Sequence, residues 1–277
     1  MIFTPFSIVG SLGIIDNPNA IPDLCFWLDC NNTLAMNLSG TTINSLTSSF
    51  VSNSVPLNTF IQPLAGSNKM VLTGSLSNPG LKCAMVVSGS TSYGATNWNT
   101  ANNDNIVQGP KTDTTSYPDG ETYFVLNRSV NTNQLGYYFQ RFNGSTDRGA
   151  FFSDNRVART PWQNVATYDF GVANAVQYFG TTGSANVILS RVNSSAARTI
   201  YNGSTLVVTN AAGNDTQTRT MRQFHNVGRY GTVVSSNTEQ PPIGTMYCEL
   251  IQYNRVLTTD ERKQVNTYLS NKWNITL

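Results

Sequence analysis

The sequence predicts an all-β sandwich that ends in one short α-helix. Short runs of β-branched and aromatic residues alternate with Gly, Pro and Asn turn signals along most of the 277 residues. All-β sandwiches of this length commonly form one domain. Only 12% of the residues are charged, but 39% are hydrophobic, including 10% that are aromatic. This composition can fill a substantial core and is not that of a disordered chain.

Residues 1–20 are predicted to form an apolar arm outside the main domain, which spans residues 21–277. Gly10, Gly13 and Pro18 argue against a helix in the arm. The arm either packs on its own domain as an extra strand or docks onto another subunit or a larger assembly. Its seven apolar side chains need a partner surface, and they are Phe3, Phe6, Ile8, Val9, Leu12, Ile14 and Ile15.

The same apolar run is a poor secretory signal. It has no Lys or Arg before it, contains Pro5 and lacks a small-residue cleavage site. It is also too short to span a membrane, so no membrane partner is expected.

Runs of strand-forming residues bounded by turn signals predict the first half of the sandwich, at residues 26–29, 69–76, 81–87 and 122–126. Residues 31–63 are polar, and we expect small strands and irregular loop there. Residues 88–109 form the longest stretch without strand periodicity. Long loops on a sandwich usually carry function or flexibility.

Two Asn-Gly dipeptides predict hairpins. Asn143-Gly144 separates residues 137–142 from residues 150–152, and Asn202-Gly203 joins two runs of strand composition. The second loop has two residues, so a type I′ turn is expected with Asn202 and Gly203 at its centre.

The closing strand is predicted at residues 246–253. Strand-forming residues are interrupted there only by Glu249 and Gln252, which suits a strand buried on most of both faces.

A short helix is predicted after this strand. Thr258 precedes Glu261 by three residues, which is the spacing of a capping box at a helix start. Val265, Leu269 and Trp273 then follow at intervals of four, with Tyr268 beside them, and form one apolar stripe. The stripe should pack on the sandwich.

The two ends of the chain resemble a known family. The pattern Y-N-R-V-L-T-x-x-E-R followed by L-x-x-K-W, at residues 253–273, resembles the C-terminal closure of concanavalin A-like jelly rolls of the laminin-G-like branch. The run from Ile21 to Asp29 resembles their opening strand, and the hairpin at residues 201–203 is a looser third match. The resemblance implies a concanavalin A-like β-sandwich jelly roll with a short C-terminal α-helix. It does not fix a function, because this fold hosts lectins, hydrolases, adhesins and virion proteins.

Catalytic motifs are not found. Glycoside hydrolysis needs two carboxyl groups roughly 5–10 Å apart, and Glu249 has no acidic residue within five positions on either side. His225 is the only histidine, and no G-x-S-x-G motif occurs. The sequence therefore predicts that the chain is not an enzyme, and a glycoside hydrolase with an unrecognised site is the second alternative.

No cofactor is predicted, with calcium as an alternative. Residues 102–105 supply Asn and Asp oxygens in a loop, and Asp147 with Asp154 is a second candidate pair. The net charge is only +2, and the sequence has no cluster of basic residues. Nucleic acid is therefore not an expected partner.

The four cysteines are expected to be buried thiols. Cys25 and Cys30 lie about 16 Å apart on one strand and cannot bond to each other. Cys83 and Cys248 could pair with either of these or with each other.

Candidate glycan-binding residues combine aromatic platforms with amide or guanidinium donors. For each aromatic residue the alternative role is a core contact or a loop anchor. The candidates are Trp98, Asn102 and Asn103 in the long loop, Tyr137, Tyr138 and Arg141 on a hairpin, and Arg159 and Trp162 in another loop.

These observations favour a non-enzymatic structural and recognition protein on a virion surface, such as a head decoration, fibre or tail component of a tailed phage. Its expected partners are other virion proteins and further copies of the chain, with cell-surface glycan as a third. Deleting residues 1–18 should leave a folded domain that no longer assembles. The alternative is a secreted glycan-binding lectin.

Overall fold

The computed structural model describes residues 13–47, 49, 59–61, 70–85, 107–108, 120–128, 136–143, 147–154, 185–193, 197–211, 224–227, 244–253 and 255–277. Within these ranges the chain forms fifteen strands and the C-terminal helix α1 (Thr259–Trp273). In chain order the strands are β1 (Leu24–Asp29), β2 (Met36–Ser39), β3 (Thr42–Thr47), β4 (Thr59–Ile61), β5 (Val71–Gly74), β6 (Lys82–Met85), β7 (Val107–Gln108), β8 (Gly120–Arg128), β9 (Gly136–Asn143), β10 (Asp147–Asp154), β11 (Ala185–Asn193), β12 (Ala197–Asn202), β13 (Thr205–Ala211), β14 (Phe224–Val227) and β15 (Thr245–Tyr253).

The strands form one curled antiparallel sheet. Its order is β10-β9-β14-β7-β4-β3-β5-β6-β15-β8-β11-β12-β13, with β1 beside β15 and β2 beside β3. A curled antiparallel sheet followed by one short helix is an all-β sandwich of the jelly-roll class. The predicted fold class is therefore confirmed.

Strand β15 lies at the centre of the described sheet, and all nine of its residues are buried. β8 pairs along one edge from Thr245 to Tyr253. β6 and β1 share the other edge, where β6 pairs near Met246 and β1 pairs from Glu249 onward. Since both edges and both faces are covered, the near-continuous apolar run predicted here is explained.

Helix α1 packs its apolar stripe on the sandwich. Val265, Leu269 and Trp273 have no exposed area and belong to the same core cluster as Tyr253 of β15. The predicted capping box is present, because the Thr258 side chain accepts from the backbone of the third helical residue, whose carboxylate accepts in return. Both the position and the packing face of the predicted helix are confirmed.

The hairpin between β12 and β13 differs from the predicted type I′ turn. Asn202 pairs with Thr205, so Gly203 and Ser204 are the connecting residues. Gly203 has a φ of +57°, while Asn202 remains in the strand ladder. The pairing passes from Ile200–Val208 to Tyr201–Leu206, so Val207 of β13 is the extra residue in this hairpin. A positive φ at the first connecting residue is the requirement of a type II′ turn, which glycine meets.

The end of the N-terminal arm packs on its own domain. Ile15 contacts the core cluster, and the Tyr253 hydroxyl donates to the Pro18 carbonyl at 2.9 Å. Residues 13–20 form a 3₁₀ turn at Pro18–Ala20 and no strand. The arm residues Phe3, Phe6, Ile8, Val9 and Leu12 lie outside the described residues. No helix in the described ranges is long and apolar enough to cross a membrane.

Candidate functional site

A buried carboxylate on β15 is the centre of a polar cluster between the sheet and the helix. Glu249 accepts hydrogen bonds at Oε1 from Trp27 Nε1 at 2.6 Å and from the Tyr268 hydroxyl at 2.9 Å. At Oε2 it accepts from Trp273 Nε1 at 2.6 Å, and Lys272 Nζ lies 2.8 Å away. Four donors therefore surround a side chain that has no exposed area.

The strand and the helix position these donors together. Trp27 belongs to β1, which runs beside β15, and Tyr268, Lys272 and Trp273 belong to α1. Residues 268 and 272 are one helical turn apart, so their side chains meet on one face. Their contact is direct, because Lys272 Nζ donates to the Tyr268 hydroxyl at 3.0 Å.

A second carboxylate shares the same ammonium. Asp29 is the register partner of Glu249 across β1 and β15, and its Oδ2 lies 2.9 Å from Lys272 Nζ. Along its own strand Glu249 has no acidic neighbour. The two carboxyl groups come together through strand pairing, which local spacing does not reveal.

Burial and the neighbouring charges act in opposite directions on the pKa values of Glu249 and Lys272. Burial raises the pKa of Glu249, although the Lys272 ammonium acts in the opposite direction. Burial acts to lower the pKa of Lys272, but the carboxylates of Glu249 and Asp29 outweigh it and the net shift is upward. The ammonium is thus held in its charged form between two acids.

The ammonium also contacts aromatic rings. Lys272 Nζ lies 5.8, 5.4 and 5.3 Å from the ring centroids of Trp27, Tyr268 and Trp273. These distances are within the range of cation–π attraction. The cluster is a closed clamp that fastens α1 to the sheet, and its central carboxylate meets no solute in this conformation.

A parallel clamp lies at the start of the helix. Arg262 of α1 makes a bidentate pair with Glu121 of β8, at 2.6 and 2.9 Å. The Tyr123 hydroxyl and the Leu257 backbone N–H also donate to this carboxylate, at 2.6 and 3.2 Å. Because Glu121 has no exposed area, its hydrogen bonds are made in a low dielectric and hold the helix firmly.

Sequence reasoning missed both clamps. The sequence did contain a signal for the clamp at Glu249. A glutamate inside a strand that is buried on both faces needs hydrogen-bond donors from neighbouring elements. The Lys and Trp of the closing L-x-x-K-W pattern are two of these donors at Glu249.

The predicted glycan-binding residues are brought together only in part. Tyr137, Tyr138 and Arg141 lie on β9, between β10 and β14. The loop candidates Trp98, Asn102, Asn103, Arg159 and Trp162 lie outside the described residues.

The second calcium candidate is wrong. Asp147 and Asp154 are the first and last residues of β10, and seven strand steps separate them by about 23 Å. Calcium ligands lie about 2.3–2.6 Å from the ion, so the two residues cannot share one. The other candidate, at residues 102–105, lies outside the described ranges. Within those ranges, no group of three or more His, Cys, Asp or Glu side chains is arranged to hold a metal ion.

Comparisons with known proteins find similarity in solved structures alone: no family model matches the chain, and no curated protein matches it. Domain 4 of the extracellular arabinanase AbnA of Geobacillus stearothermophilus, solved with arabinotriose, aligns at 12% identity and a TM-score of 0.49, covering 88% of this chain and 98% of that domain. A Trypanosoma rangeli sialidase, solved as a covalent intermediate with 2,3-difluorosialic acid, aligns at 8% identity and a TM-score of 0.48 over 98% of this chain. The binding domain of botulinum neurotoxin serotype G aligns at 9% identity and a TM-score of 0.48 over 88% of this chain.

This chain spans 36% of the sialidase and 51% of the neurotoxin domain. The prediction that the chain is not an enzyme is corrected by these comparisons, because a sialidase and a domain of an arabinanase are among its structural neighbours. At identities of 8–12% and TM-scores below 0.5, these matches assign no activity to this chain. The concanavalin A-like and laminin-G-like resemblance is supported only as a curled β-sheet fold, which the strand pairing of this chain shows.

Proposed function

We propose that this protein binds carbohydrate on the part of the sheet formed by β10, β9, β14 and β7. The observation that carries the proposal is a row of register positions across three strands. Gln140 of β9 pairs with Asn226 of β14, which pairs with Gln108 of β7. Amides both donate and accept hydrogen bonds, as the hydroxyl groups of a sugar require.

A second row of register positions lies on the same strands. Arg141 of β9 is the register partner of His225 on β14 and of Gly149 on β10. Successive residues of a strand alternate between the two faces of the sheet, so Tyr138 shares a face with Gln140, and Tyr137 shares the opposite face with Arg141. Aromatic residues offer a platform for the apolar face of a sugar, and guanidinium groups bind its hydroxyls. Donors, acceptors and aromatic residues are thus concentrated on neighbouring strands.

A glycan array probed with the purified full chain tests the proposal. We expect binding to at least one class of oligosaccharide, weakened about twofold to tenfold by Gln140→Ala, since a hydrogen bond contributes roughly 0.5–1.5 kcal/mol net. The matched control is Asn271→Ala, which also removes an amide but lies exposed on α1. Silence across a broad array, or equal binding by both variants, would contradict the proposal.

The same glycans also test the hydrolase alternative. Any oligosaccharide that binds is incubated with the protein, and new reducing ends are measured. Release that depends on intact protein would assign glycoside hydrolysis, and unchanged oligosaccharide would leave binding as the function.

A location on a virion surface is a second proposal, with the N-terminal arm as its attachment. Ile14 is 72% exposed although its neighbour Ile15 packs on the core. Ile14 belongs to the run of seven apolar side chains from Phe3 to Ile15, and a contact with another subunit would cover such a run. An antibody against the chain should label purified particles, and unlabelled particles would exclude this location.

A further inference from the structure

Two cysteines on neighbouring strands lie in direct contact. The Sγ atoms of Cys83 in β6 and Cys248 in β15 are 2.7 Å apart, and neither residue has exposed area. The last register pair of these strands is Tyr247 with Ala84, so the next antiparallel step sets Cys248 opposite Cys83. Directly opposed residues have Cα atoms about 4.5–5.5 Å apart, within the range of about 4.4–6.8 Å that disulfides need.

The surroundings of the pair are polar but closed. Asn127 Oδ1 accepts from Cys248 Sγ at 3.1 Å and lies 3.9 Å from Cys83 Sγ. A third buried thiol, Cys30, follows β1, and its backbone N–H donates to the Cys248 carbonyl at 3.0 Å. Burial raises the pKa of the Cys248 and Cys30 thiols. Because the thiolate is the reactive form, the closed cluster reacts slowly, and chemistry there requires strand β6 to open.

We propose that Cys83 and Cys248 form a disulfide when the chain folds or opens in contact with an oxidising thiol–disulfide pool. One protein thiolate attacks a low-molecular-weight disulfide such as oxidised glutathione and releases one glutathione thiol. The second protein thiolate then attacks the mixed disulfide and releases the other. Two protein thiols lose two electrons and two protons, and one glutathione disulfide becomes two glutathione thiols.

The disulfide would crosslink β6 and β15, which are paired over only a short length. β6 and β15 share two register pairs, yet this pairing links the path from β10 to β6 with the path from β15 to β13. The two cysteines are 165 positions apart in sequence. Closing so long a loop removes much conformational freedom from the unfolded chain, which is the main source of disulfide stabilisation.

Thiol counting on the full chain tests the proposal. The protein is incubated with oxidised glutathione in urea below its unfolding midpoint, returned to native buffer, and alkylated after full denaturation. The chain has four cysteines, and we expect two alkylated thiols together with a linked peptide pair containing Cys83 and Cys248. The melting temperature should rise by about 5–10 °C and fall back on reduction.

Variants assign the effect to this pair. Cys83→Ala should abolish both the crosslink and the rise in melting temperature, whereas Cys30→Ala, a matched change in the same buried cluster, should keep both. Four alkylated thiols after oxidation, or a crosslink that contains Cys25 or Cys30, would overturn the proposal. Peptide mapping of the unmodified sequence gives this answer even where a variant fails to fold.

Discussion

The Glu249 carboxylate accepts hydrogen bonds from two indole N–H groups and a phenol hydroxyl, and it pairs with one ammonium. Moving a charged group out of water costs free energy, and its hydrogen-bond and ion-pair partners offset that cost. A buried carboxylate that loses these partners therefore destabilises the fold. Lys272 is the critical partner, because it also neutralises Asp29. Its loss would leave the buried Glu249 and the partly buried Asp29 facing each other without a cation.

We therefore expect Lys272→Met to lower the free energy of unfolding by about 3–5 kcal/mol. Adding Glu249→Gln to this variant should recover part of the loss, because one unpaired charge is removed. Urea unfolding midpoints measure both effects. Lys263→Met on the exposed side of the same helix is the control, and a Lys272→Met midpoint equal to it would show that the clamp contributes nothing.

Helix α1 depends on both of its ends. At its start the Thr258 hydroxyl accepts from the Glu261 backbone at 3.3 Å, and the Glu261 carboxylate accepts from the Thr258 backbone at 2.9 Å. At its end Trp273 fills the core with no exposed area. The cap is local, and the tryptophan contact is with the sheet.

The cap and the buried tryptophan should contribute different amounts to the free energy of unfolding. Thr258→Ala should cost about 1 kcal/mol of stability through loss of the cap, and Trp273→Ala about 3–5 kcal/mol through the cavity that it leaves. Calorimetric melting temperatures of the two variants measure the ranking. An unchanged melting temperature for Trp273→Ala would mean that the helix is not packed on the sandwich.

Glu261 also gives the helix a pH dependence. Hydrogen bonds from the Arg255 guanidinium, at 2.8 and 2.7 Å, lower the pKa of Glu261 to about 2, against an ordinary value of 4.5. Since the unfolded chain binds this proton more readily, the contribution is present above about pH 4.5 and is lost as the pH falls toward 2.

We expect the unfolding midpoint of the unmodified protein to fall more steeply over this pH window than that of Glu261→Gln. Glutamine keeps the capping-box geometry but does not titrate, so the difference isolates the carboxylate. Asp260→Asn, an exposed change in the same turn, should follow the unmodified protein. Identical profiles for Glu261→Gln and the unmodified protein would contradict the assignment.

The closing strand and helix could be predicted because their signals are local. The capping pair is three residues apart, and the apolar stripe repeats every four. Asp29 and Glu249, or Cys83 and Cys248, are brought together by strand register between segments 220 and 165 positions apart, which composition and spacing do not encode. The shifted hairpin turn also reflects strand register, since Asn202 pairs with Thr205 and is not part of the loop. Of the glycan candidates, the hairpin set was placed on one strand, but its neighbours Asn226 and Gln108 come from distant parts of the chain.

The last part of the N-terminal arm, residues 13–20, packs against the core of the sandwich. Ile15 packs on the core cluster, Ile21 is 3% exposed, and the Pro18 carbonyl accepts from the buried Tyr253 hydroxyl. Deleting residues 1–18 would remove two of these contacts. The Tyr253 hydroxyl would lose its acceptor, which costs about 1–3 kcal/mol where a buried donor is left unpaired.

A deletion that ends at residue 12 separates assembly from folding. It removes the apolar residues Phe3, Phe6, Ile8, Val9 and Leu12 and keeps the contacts of Ile15 and Pro18. We expect the shortened chain to melt within about 2 °C of the full chain and to elute in gel filtration at a smaller assembly mass. The deletion of residues 1–18 should show the same mass with a lower melting temperature, because the Tyr253 contact is lost as well. If the chain lacking residues 1–12 unfolds, the arm belongs to its own core. If it keeps the mass of the full chain, these residues do not mediate assembly.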